Sequence, residues 1–152
     1  MAAATTERDR NGGPLLPSKG TFPVAANTLI YKGTMVALTN VSGVDHAIAA
    51  VDGNGDIVGV AAHTINNLTG SSLGGAAGAT DVEVEYGLSS FELSGTAPRA
   101  GQKVFALDNQ TVTLDDDSGS RGFAGICSEV RTLNGRSLVL VHQNPVTMGL
   151  GT

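Results

Sequence analysis

The chain has no tryptophan, one cysteine, and aromatic residues at only 4% of its 152 positions. A lone cysteine, Cys127, excludes an intrachain disulfide and leaves the redox compartment open. So few rings leave thin support for a site that stacks sugars. Charged residues make up 15% of the chain. That is sparse for a free monomer, so the surface is either covered by something else or built from uncharged polar groups. No lysine or arginine falls between Lys32 and Arg99, whereas Asp45, Asp52, Asp56, Asp81, Glu83, Glu85 and Glu92 all do. With a net charge of −5, the chain repels polyanions, and no nucleic-acid partner is expected. A partner with a basic surface suits the acidic stretch, and so does a solvated face kept for solubility. No apolar run approaches ~18 residues and Met1 to Arg10 holds no apolar core, so neither a membrane span nor a signal peptide is expected.

Catalytic and ligand signatures are missing too. There is no Gly-x-Ser-x-Gly elbow, and His46, His63 and His142 are scattered along the chain, so nothing nominates a nucleophilic triad. Cys127 closes the apolar run Phe123-Ala-Gly-Ile-Cys, where a thiol acts as a small hydrophobe and nothing lowers its pKa. Asp52-x-Asn54-x-Asp56 matches the first three ligand positions of a calcium loop. Ile57 then stands where the loop needs glycine and His63 where it needs a bidentate glutamate, so a plain turn is the better reading. Asp115, Asp116 and Asp117 are adjacent and cannot converge on one cation. Gly13 to Gly20 lacks the second glycine and the hydroxyl of a phosphate loop, and Gly74 to Gly78 precedes a strand instead of a helix. No cofactor, no metal and no enzymatic activity are expected.

What the chain does contain is short strands punctuated by turns. At 152 residues one domain is the natural prior, burying roughly 70% of its unfolded surface. Residues 1–21 form an extended N-terminal arm in this reading, because Asn11-Gly-Gly-Pro14 and Pro17 stop both helix and sheet. Leu15 and Leu16, between Pro14 and Pro17, are its only apolar knob, either an anchor on a neighbouring subunit or two stray leucines in a tail. The β-domain spans 22–145, and 146–152 is a C-terminal tail. Strands are expected at 22–25, 29–31, 34–39, 45–51 and 57–65, with Lys32-Gly33 a tight bend and Asp52 to Asp56 a hairpin turn. Residues 66–80 carry Gly70, Gly74, Gly75 and Gly78 and are expected to be a weakly structured rim or contact loop. Asp81 to Tyr86 alternates, with Val82, Val84 and Tyr86 on one face and the acids on the other. Further strands are expected at 91–93, 103–107 and 111–114, the last two as a hairpin. Asn134-Gly135 is the preferred two-residue type I′ turn, so 126–133 pairs with 136–143, Val130 opposite Val139 and Ser128 opposite Val141. Leu138 to Val141 is apolar on both faces, as in a central strand. The expected fold is all-β, a compact barrel or sandwich of about nine short strands with no helix.

Three segments carry a family resemblance. Leu29-Ile-Tyr-Lys-Gly-Thr-Met-Val-Ala-Leu38, Ile57-Val-Gly-Val-Ala61 and Val82-Glu-Val-Glu-Tyr-Gly87 together resemble small bacteriophage capsid cement, or head decoration, proteins over residues 22–143. The resemblance implies a structural protein of the virion that binds the outer surface of the capsid where major capsid protein subunits meet, with copies of itself forming a trimer. Leu15, Leu16 and Phe22 are the expected contact residues, with Glu83 and Glu85 as partners for basic capsid side chains. A rival reading is a small glycan- or ligand-binding β-domain of a phage tail or cell surface, and a third is a hydrolase of unrecognised type.

Overall fold

The computed structural model describes residues 19–53 and 55–143. These contain twelve strands and no helix. Lys19–Pro23 (β1), Thr28–Ile30 (β2), Met35–Val41 (β3), Val44–Ala49 (β4), Ile57–Ala61 (β5), Ile65–Asn67 (β6) and Asp81–Glu85 (β7) make up the first part of the chain. Gly87–Leu93 (β8), Lys103–Ala106 (β9), Thr111–Thr113 (β10), Phe123–Leu133 (β11) and Arg136–Gln143 (β12) make up the second. The second group closes into a barrel in the order β10-β8-β12-β11-β9. The first forms a five-stranded sheet, β1-β7-β5-β3-β4, with β2 and β6 paired as a separate ribbon. The fold is all-β, as the turn-punctuated sequence predicts, with a barrel and a sheet sharing one body.

Two apolar clusters hold it together. The larger joins Phe91, Val104, Val112, Ala124, Cys127, Val139 and Val141 of the barrel to Met35, Ala37, Ile57 and Val60 of the sheet. The smaller packs the opposite face of the sheet, through Val36, Val58, Val82 and Val84, against Val24 and Ile30. The sheet is therefore covered on both faces. That explains why β5 is an unbroken apolar run buried at every position, where a half-exposed strand would alternate.

Several expectations are corrected by this topology. The bend at Lys32-Gly33 exists, with Thr34 donating its hydroxyl to the Tyr31 carbonyl at 2.8 Å. The strands on either side of it, however, join different sheets, β2 pairing with β6 and β3 with β4 and β5. Asp52 to Asp56 does not close a hairpin, because β3 lies between β4 and β5. The run at 57–65 splits, and its last residue opens β6. β1 begins at Lys19, ahead of the boundary set at Phe22, and pairs along β7 from Lys19 opposite Glu85 to Pro23 opposite Asp81. The 66–80 segment is laced down instead of loose. Gly78 donates to the Val24 carbonyl and Asn27 to that of Gly75, both at 2.9 Å. The buried Asn67 amide bridges the carbonyls of Ala25 and Ala76.

The closing hairpin forms as the Asn134-Gly135 pair requires, both residues having positive φ (51° and 75°). Val130 faces Val139, but Cys127, not Ser128, faces Val141. A bulge at Ser128 inserts one unpaired residue, so Cys127 stays in the core while Ser128 and Glu129 both point to solvent.

Candidate functional site

β12 runs down the middle of the β8-β12-β11 wall, Leu140 opposite Ser90 on β8 and Leu138 opposite Arg131 on β11. Period-2 alternation sends Val139 and Val141 into the barrel and Leu138 and Leu140 outward. On the flanking strands Leu88 and Leu133 also point outward, 57% and 59% exposed. Together with Ser89, Ser90, Arg131 and Thr132, these four leucines line a shallow groove of about 400 Å³. No described element covers it. The strand was expected to be apolar on both faces because both were covered; the inner face is, and the outer one presents leucine to solvent.

Beside the groove, across Ser90 and Leu138, lies a more polar hollow of about 320 Å³ lined by Tyr31, Lys32, Gly33, Glu92 and Gln110. Tyr31 is the exposed aromatic of the described residues, at 54%. Glu92 at the rim is paired with Arg136 at 2.9 Å, and Arg131 is paired with Glu129 on its own strand. The groove's charged neighbours are thus largely neutralised, which lowers the cost of covering it.

The acidic stretch changes meaning in three dimensions. Lys19 reaches Glu83 at 2.9 Å and Glu85 at 3.9 Å. The hydrogen bond from Lys19 holds the Glu83 carboxyl below the usual carboxylate range. Arg121 binds Asp52 through Nε at 2.8 Å and Nη2 at 3.3 Å, and Asp115 through Nη1 at 2.9 Å. Cations from outside the 45–92 interval therefore fold back on Asp52, Glu83, Glu85 and Glu92. Glu83 and Glu85, expected as partners for a basic surface, hold the first strand of their own chain. Phe22, expected at a contact, packs against the smaller core. Leu15 and Leu16 lie outside the described residues.

Among the described residues, the histidines and the cysteine are not gathered into one site. His46 is buried, its Nδ1 3.1 Å from the Val44 carbonyl oxygen, while His63, in the bend between β5 and β6, and His142, on β12, are exposed. Cys127 is 1% exposed, and burial pushes its thiol pKa up, away from nucleophile chemistry. Among the described residues no three His, Cys, Asp or Glu side chains converge as metal ligands, and Asp52 of the calcium-like turn is held by a guanidinium.

Arg121, only 14% exposed as a side chain, ties the turn after β4 to the loop after β10. The Asp115 carboxyl sits below its ordinary value, chiefly through the backbone N–H of Asp117 and then through Arg121. A depressed carboxylate adds stability that is present above the unfolded value, near 4, and is lost as pH falls through the folded one. The unfolding temperature is accordingly expected to drop as pH is lowered from 5 to 2. Arg121→Gln is expected to lower Tm by a few degrees at neutral pH and to flatten that acid dependence, as followed by circular dichroism. An acid slope identical in wild type and variant would contradict the pairing.

No family model matches the chain, and no curated protein matches it. Among solved structures it is similar to the head fiber gp8.5 N base of bacteriophage phi29. That similarity has a TM-score of 0.47 and 12% identity, over 83% of this chain and 98% of that one.

Proposed function

We propose that this protein is a non-enzymatic structural component of a phage head. In this reading it binds the outer capsid surface at junctions between major capsid protein subunits, as a trimer, and stabilises the shell. The observation that carries the proposal is the leucine groove on β8, β12 and β11. Contiguous exposed apolar surface marks a protein contact, and these leucines stand on three adjacent strands of the closed barrel. The sequence resemblance to cement proteins supports the same reading.

In the assembled state, residues 1–18 supply the second contact, through Leu15 and Leu16, by tethering copies to one another and raising their effective concentration. Deleting residues 1–18, which leaves β1 whole, is expected to keep the cooperative unfolding transition while lowering affinity for expanded, undecorated heads or breaking up the trimer. Cosedimentation and light scattering read the two outcomes. Unchanged affinity together with unchanged assembly would remove the leader from the proposal.

The glycan or small-ligand reading has one specific support, the hollow beside Tyr31 with Glu92 and Gln110 at its wall. Retention on a glycan array without any binding to heads would favour it.

A further inference from the structure

The leucine groove is uncovered by any described strand, yet the chain itself supplies an occupant of the right chemistry at the right place. β1 is antiparallel to β7, with Lys19 opposite Glu85, and β8 begins at Gly87, just after β7 ends. Traced backward from Lys19, the chain therefore heads the way β7 runs forward, toward Gly87 and Leu88. Leu16 precedes Lys19 by as many residues as Leu88 follows Glu85. At ~3.3 Å per residue each span is about 10 Å. A leader continuing in the direction of β1 would come level with Leu88, at the mouth of the groove.

The leader's sequence suits that path. Leu16 precedes Pro17, and the residue before a proline is pushed into extended conformations. Adjacent side chains of an extended chain point to opposite sides, so a consecutive leucine pair offers one leucine to the groove whichever way the leader rotates. The C-terminal tail is badly placed by the same test. Gln143 lies opposite Gly87 on an antiparallel neighbour, so the chain beyond it moves toward Glu85 and away from Leu88.

We infer that in the free chain the Leu15-Leu16 pair of residues 1–18 seats in the chain's own groove between Leu88, Leu133, Leu138 and Leu140. The closed contact is intramolecular, favoured by the short tether over capture of another copy's leader at low protein concentration. It also gives a simple route to assembly, since the same contact made between copies is a swap of an identical element. The inference concerns the isolated protein and does not depend on head binding.

Disulfide trapping in the full chain, with no heads present, tests it. Leu16→Cys and Leu15→Cys are each combined with Leu88→Cys and oxidised at low micromolar concentration. The native Cys127 is buried and stays out of the reaction. A disulfide requires Cα atoms roughly 4.4–6.8 Å apart, so closure reports real proximity. At least one pair is expected to close within a single chain in most molecules, whereas Met148→Cys with Leu88→Cys is not. Failure of both leader pairs, closure by the tail pair instead, or a product joining two chains would each overturn the inference. As a second readout, Leu15→Asp with Leu16→Asp is expected to raise the fluorescence of a hydrophobic dye severalfold; no rise would count against the seated pair. Loss of head binding with trapping intact would sink the structural role alone.

Discussion

Gly125→Ala is expected to destabilise the protein by about 4 kcal/mol, enough to lower Tm by about 10 °C. Gly125 sits on β11 between two barrel neighbours with φ of 143°. A Cβ there would lie 2.6 Å from both the His142 carbonyl oxygen and Val141 Cγ1. A backbone at φ 143°, in a region almost reserved for glycine, costs an alanine about 1–3 kcal/mol. Forcing extra volume against backbone in a packed wall adds roughly 1–3 more. Gly135→Ala provides the contrast, because Gly135 also has positive φ but nothing within 4 Å of its Cβ position, and its expected cost is about 1 kcal/mol. Denaturant unfolding of the two variants checks both values. Equal costs would mean that the β11-β12 approach at Gly125 is wider than the closed barrel requires.

The double variant Leu88→Asp with Leu133→Asp is expected to weaken binding to undecorated heads at least a hundredfold, about 2.7 kcal/mol. Both side chains lie outside the two apolar cores, so the β-body is expected to keep its cooperative unfolding transition. Two carboxylates in the groove would have to be stripped of water by any apolar occupant, whether a capsid surface or a leucine-bearing leader. Val44→Asp, on an equally exposed apolar residue (51%) at the β3-β4 turn, serves as the control and is expected to bind like wild type. A double variant that binds normally would move the contact surface elsewhere on the body.

How much of this was readable in advance depended on whether the signal was local. The β11-β12 hairpin was legible because Asn134-Gly135 selects its own turn type, and β7 was legible because valine and acid alternate over its length. The Ser128 bulge broke the expected register, since a bulge is a backbone event decided by which neighbour must stay inside, here Cys127. Its one trace in the sequence is the consecutive Ser128-Glu129, two polar residues where strict alternation allows one.

The false hairpin at Asp52 to Asp56 has a different cause. Turn chemistry reports that a chain reverses, not which strand comes to lie between the two it joins, and β3 took that place. The acidic stretch likewise looked unpaired because its cations, Lys19, Arg121 and Arg136, stand outside the interval. The leucine groove was least legible of all. Leu88 and Leu133 are single apolar residues in polar surroundings, and only the closed barrel brings them beside Leu138 and Leu140.

As proposed above, the protein is held on a phage head through its outward leucine wall. Imaging expanded heads mixed with the purified protein, at a resolution that separates subunits, tests it most directly. A body of this size is expected on the outer surface at a fixed number of copies per capsid junction, with the β8-β12-β11 wall turned into a protein contact. Heads that remain bare at saturating protein, or bodies attached with that wall facing open solvent, would contradict it.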